Sequence, residues 1–162
     1  MIARRIGRIA AWLAVVGWMA VIFALSNQTA AESSALSGGL IEQVAQAVTP
    51  GFEELPPQEQ TAVVDQWQNA VRKLAHAAEF AVLGVLLWVA LSRVPRLWIR
   101  AAIAAGISLL YAISDEGHQF FVAGRGPGAL DVCIDLAGAL AGVGLALAAT
   151  ALWRKRKNHK KA

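Results

Sequence analysis

Four long apolar runs, each bounded by charged residues, set the pattern of this chain. They span about residues 9–25, 74–91, 97–113 and 131–153. A bilayer core about 30 Å thick takes roughly 20 mostly apolar residues of helix to cross. None of the runs alternates apolar and polar faces as a helix on a soluble core does. The expectation is all-α: a polytopic membrane bundle of four transmembrane helices in one domain, 1–162. Span one could instead be a signal peptide, with a basic start and Ala24-Leu25-Ser26 or Thr29-Ala30-Ala31 as its cleavage site. Its apolar run carries Trp12 and Trp18, long and bulky for that role, so a retained span is expected.

The connections differ in kind. In the outer segment, 26–73, Leu36, Leu40, Val44 and Val48 recur at four-residue spacing, which predicts an amphipathic helix lying on the membrane surface as a cap over the bundle. Pro50-Gly51 ends that helix and Pro56-Pro57 begins the next. Val63 or Val64, Trp67, Val71 and Leu74 then continue along one face, so this second helix runs straight into span two. Ser92-Arg93-Val94-Pro95-Arg96 makes a short hairpin connection. Residues 122–128, rich in glycine with one proline, make a tight loop.

Composition agrees. The chain is 57% hydrophobic and 16% charged, against about 25% charged in a typical soluble protein. The net charge of +4 averages over a strong segregation. Arg4, Arg5, Arg8, Arg93, Arg96, Arg100 and the six bases of the 154–162 tail fall on one side of the spans, 12 of 15 Lys plus Arg. All 11 acidic residues fall on the other side or just inside it. Basic flanks mark the cytoplasmic side, so both termini are expected inside and the acidic loops outside. A basic balance distributed this way is no nucleic-acid signature. The single cysteine, Cys133, excludes an intramolecular disulfide and a multi-cysteine metal site.

Candidate chemistry gathers at the outer ends of spans two, three and four. Arg72, Lys73, His76 and Glu79 form one group, with Arg72, His76 and Glu79 on one helix face. Asp115, Glu116, His118 and Gln119 form a second, with Glu116 expected to point away from the others. Arg125, Asp131 and Asp135 form the third; Asp131 also suits the start of span four through the helix dipole. Glu79 lies 14 residues before Arg93, and Asp115 and Asp135 lie 19 residues from Arg96 and Arg154. At about 1.5 Å per residue these are depths of about 21 and 28 Å from the basic side. Ionisable groups there cost up to about 2.5–3.5 kcal/mol each unless paired or hydrated, so they are expected to face one another. His159, in the tail, is expected to be solvated. Gly138 and Gly142 form a small-xxx-small helix-packing motif that also permits a homo-oligomer.

Three stretches carry a family resemblance. They are Ile22-Phe23-Ala24-Leu25-Ser26-Asn27-Gln28, Arg72-Lys73-Leu74-Ala75-His76-Ala77-Ala78-Glu79-Phe80, and Ser114-Asp115-Glu116-Gly117-His118-Gln119-Phe120-Phe121 with Gly124-Arg125, Asp131-Val132 and Asp135-Leu136-Ala137-Gly138. The chain resembles the VanZ-like membrane proteins, a family named for a member linked to low-level teicoplanin resistance in Gram-positive bacteria. It departs from the family at Phe80, where tyrosine is common, and at Ala123-Gly124, where proline often precedes the arginine. The resemblance implies a bacterial cell-envelope protein of the cytoplasmic membrane and supplies no reaction.

Three functional readings follow from the polar groups. In the first, a lipid-linked cell-wall precursor or an amphiphilic glycopeptide-type antibiotic binds at the outer end, with Arg72, Lys73 and Arg125 meeting phosphate. In the second, His76, Glu79, Asp115 and Asp135 are catalytic groups acting on a lipid phosphate by acid-base chemistry or through a divalent cation. In the third, the carboxylates mark the path of an ion-coupled transporter.

Overall fold

The computed structural model describes residues 2–28, 30–123 and 128–159, with side chains for 5–28, 38–123 and 128–157. Among the described residues the chain is helical, without strands. The elements are α1 (Ile2–Ser26), α2 (Ala30–Val48), a single 3-10 turn (Phe52–Glu54), α3 (Pro57–Ala90), α4 (Leu97–Gln119) and α5 (Ala129–His159). The helices α1, α3, α4 and α5 are each long and apolar enough to cross a membrane. The chain is therefore the polytopic four-span bundle that its apolar runs predict.

Helix boundaries follow local chemistry. Gly51 takes the left-handed conformation, φ 71°, that turns the chain after α2. Pro57 opens α3 at the first helical position, where its missing N–H costs nothing. With 34 residues, α3 is about 51 Å long, so its first turns extend past a bilayer core. It ends in a turn closed by Val94 N–H to the Leu91 carbonyl, and Pro95 then separates it from α4. The polar residues Asp115 to Gln119 fall on the last turns of α4.

The outer segment differs in one respect from expectation. α2 packs on α3 and on the 3-10 turn, with no comparable contact to the other spans. Its buried residues are Ile41 and Ala45, while Leu40, Val44 and Val48 are exposed. Among the described residues α2 covers α3 and not the whole bundle. The buried face lies one position along from the four-residue stripe, which stays exposed as on a helix lying at a membrane surface. The side chain of Leu36 lies outside the described residues.

α3 is the hub, touched by α1, α2, α4 and α5. Burying apolar surface gives little gain between helices in lipid, so close backbone approach and hydrogen bonds must hold them. A Cβ on Gly138 would sit 2.1 Å from the Ala77 carbonyl oxygen, and one on Gly142 would sit 2.0 Å from that of Ala81. From the other side, a Cβ on Gly84 would lie 2.3 Å from the Ala139 carbonyl oxygen. The small-residue motif is thus used between α5 and α3 of one chain, which removes it as the seam of a homo-oligomer. α1 is tied in by Trp18 Nε1–H donating to the Glu79 carbonyl at 2.8 Å and by the Tyr111 hydroxyl donating to the Met19 carbonyl. Phe80 is fully buried, its ring 6.0 Å from that of Tyr111. The outer surface is apolar: Leu13, Leu110 and Leu145 are each at least 66% exposed, as suits side chains facing lipid.

Candidate polar site at one end of the bundle

The end of α1, the end of α4 and the start of α5 meet beside the middle of α3. His76 comes from α3, Asp115 from α4 and Asp135 from α5. One ligating atom of each lies within 4.8 Å of the other two. Asp115 and Asp135 are 3% and 2% exposed, and the His76 side chain is 14% exposed. This is a cluster of ionisable groups inside protein.

The two carboxylates are held differently. Asp115 Oδ2 accepts from the Ser26 hydroxyl at 2.8 Å and from Gln119 Nε2 at 3.1 Å. Its Oδ1 has no hydrogen-bond partner, and neither has Oδ1 of Asp135. His76 Nδ1 is 3.9 Å from Asp135 Oδ1, beyond hydrogen-bond range. A buried acceptor left without a donor costs about 1–3 kcal/mol, and more when charged. Four carboxylates, those of Asp115, Glu116, Asp131 and Glu79, act on Asp135 electrostatically.

Around this core the other candidate residues take separate places. Lys73 Nζ pairs with Asp131 Oδ1 at 2.7 Å, both side chains partly exposed at the rim. The first turn of α5 is therefore bound to α3, beyond any dipole effect on Asp131. Arg72 donates through one terminal nitrogen to Asn69 at 3.3 Å, and its Nε is buried without a partner. Glu116 is buried, 6% exposed, and accepts the Gly128 N–H through Oε1. Its partner is thus not one shared with Asp115, whose carboxylate is held by Ser26 and Gln119. His118 is set apart, 3.3 Å from Asn27 Oδ1 with its ring 4.4 Å from that of Phe23. Glu79 lies on α3 one turn beyond His76, half-buried. Arg125 and the side chain of His159 lie outside the described residues.

Ser26 is the contributor that sequence reasoning passed over. It is fully buried and fixes the catalytic-candidate Asp115. The available signal was a serine and an asparagine directly after an apolar run, a pair that here meets Asp115 and His118, one turn apart on α4. Chemically the arrangement supplies one imidazole and two bare carboxylate oxygens, a donor set that takes a proton or a metal cation.

A family model for VanZ/LLP1 matches residues 11–153. The chain belongs to the VanZ/LLP1 family. The matched region contains the greater part of all four spans and every described residue of the polar site. The stretches 22–28, 72–80, 114–121 and 131–138 that carry the resemblance are the ones that meet here, through Ser26, His76, Asp115 and Asp135. No curated protein and no solved structure matches the chain.

Proposed function

We propose that this VanZ/LLP1 protein binds the phosphate-bearing head of an amphiphile, a lipid-linked cell-wall precursor, at the polar end of its bundle. In this reading it sits in the bacterial cytoplasmic membrane with both termini inside and the polar end facing out. The observation that carries it is a buried polar cluster, with bare carboxylate oxygens among the described residues, directly beside exposed apolar residues. Phe120 and Phe121 follow the last turn of α4 and are 67% and 82% exposed, and Leu130 at the start of α5 is 64% exposed. A head entering the cluster would leave its tail against these side chains. Lys73 at the rim and the unpartnered Nε of Arg72 supply the charge-assisted donors that phosphate takes. The orientation rests on basic flanks: Arg8 of α1 and Arg93 after α3 line one cleft at the opposite end.

The test is binding in lipid nanodiscs of a polyprenyl phosphate and of the polyprenol with the same tail. Saturable binding of the phosphate, at least tenfold tighter than the alcohol and weakened by Lys73→Ala, is expected. Equal binding of both would contradict the reading. A second reading, an enzyme acting on the lipid phosphate, is favoured by the convergence of His76, Asp115 and Asp135 and calls for a released product in the same samples. A lipoglycopeptide that binds in place of the polyprenyl phosphate would move the assignment to the antibiotic.

A further inference from the structure

The polar end holds more negative charge than its described cations answer. Lys73 is engaged by Asp131, yet Asp115 and Asp135 lie deeper, each with a bare oxygen. A phosphate approaching them would meet like charge. A bound cation removes that conflict, and the geometry says where it would sit.

We propose that His76, Asp115 and Asp135 bind one divalent transition-metal cation, Zn²⁺ or Mn²⁺, between α3, α4 and α5. Each helix provides one donor, and all three donors lie within 4.8 Å of one another. Two donors about 2.1 Å from a tetrahedral metal are about 3.4 Å apart, so the 3.9 Å between His76 Nδ1 and Asp135 Oδ1 closes with about half an ångström of side-chain movement. Asp115 is arranged as a ligand is: Ser26 and Gln119 both donate to Oδ2 and leave Oδ1 bare, so the outer contacts orient the carboxylate without using the coordinating atom. The imidazole favours zinc and the two carboxylates also suit manganese, while magnesium and calcium prefer oxygen alone. An ion pair between His76 and Asp135 would explain neither the bare oxygen of Asp115 nor the 3.9 Å gap. Three protein ligands leave a coordination position open. That a phosphate oxygen fills it rests on the amphiphile reading; the metal site itself does not.

The experiment uses the full chain in detergent, freed of any histidine tag and of metal by chelation, then titrated with Zn²⁺ alone and Mn²⁺ alone. One ion per chain is expected. Outer-shell changes cost about 10–100-fold in metal affinity, so His76→Ala, Asp115→Asn and Asp135→Asn should each lower it by about 100-fold or more. Glu53→Gln, at an exposed position of the 3-10 turn, should leave it unchanged. Zinc X-ray absorption of the unaltered protein keeps the test independent of whether the variants fold: one imidazole with oxygen ligands and no sulfur is expected. No stoichiometric uptake by the helical protein, a sulfur ligand from Cys133, or affinity unchanged in the folded variants would overturn the site. Zinc uptake without polyprenyl phosphate binding would sink the amphiphile reading and keep the metal. Phosphate binding without zinc uptake would do the reverse.

Discussion

Arg100 and Asp135 are both ionisable side chains buried in this bundle, at 7% and 2% exposure, and they are treated in opposite ways. Arg100, on α4 near the basic end, donates through Nε to the Trp88 carbonyl at 2.7 Å and through a second nitrogen to the same oxygen. Its guanidinium also lies 4.0 Å from the Trp88 ring. Trp88 in turn donates to Thr150 at 3.1 Å, so the contact chain links α4, α3 and α5. No nitrogen of Arg100 is among the buried polar atoms without a partner. Asp135 has a bare oxygen and further carboxylates around it. One end closes a buried charge within the fold. The other leaves carboxylate oxygens of Asp115 and Asp135 without a hydrogen-bond partner among the described residues, a cost that persists where structure serves a ligand more than stability.

Substitutions should affect the two ends of the bundle differently, except one that reaches both. Gly138→Leu would drive a side chain into the Ala77 backbone and separate α5 from α3. A loss of more than about 4 kcal/mol is expected, read as failure to elute as a monodisperse helical protein. Arg100→Ala should cost about 1–3 kcal/mol of stability in a denaturant or thermal scan while zinc affinity and polyprenyl phosphate binding stay as in the unaltered protein. Ser26→Ala removes a donor to Asp115 from a fully buried site. It should cost about 1 kcal/mol of stability and about tenfold in zinc affinity, the one substitution that shifts both readouts. Lys73→Ala breaks a partly exposed ion pair and should change stability by no more than about 1 kcal/mol, its effect falling on phosphate binding.

The spans were legible in the sequence because hydrocarbon thickness dictates helix length, and charges at the run ends mark where each helix leaves lipid. The continuity of α3 was legible too, since Val71 and Leu74 keep the helical period across the boundary. The helix of α2 and its apolar stripe were legible, but the separate face by which it packs on the protein was not. Hydrophobicity singled out Leu40, Val44 and Val48, which stay exposed, while the buried residues are Ile41 and Ala45. At the site, periodicity grouped residues within a helix but could not say which helices meet. The ionisable groups of the three helices were expected to face one another, and His76, Asp115 and Asp135 do lie together. Glu116 required the return of the chain at Gly128, and Ser26 required the end of α1. Both depend on how far separated segments pack, which no local spacing encodes. Arg100 read as one more basic flank, and only its position inside the bundle separates it from Arg96.

If the buried carboxylates at the polar end serve a ligand and do not hold the helices together, neutralising one should cost ligand and not stability. Asp135→Asn tests it most directly, with thermal unfolding and zinc titration made on the same preparation. The account predicts a midpoint equal to or above that of the unaltered protein, since a neutral amide is cheaper to bury, together with a loss of zinc affinity of about 100-fold or more. A midpoint that falls as far as that of Arg100→Ala, with zinc affinity unchanged, would show that Asp135 is structural and would contradict the account.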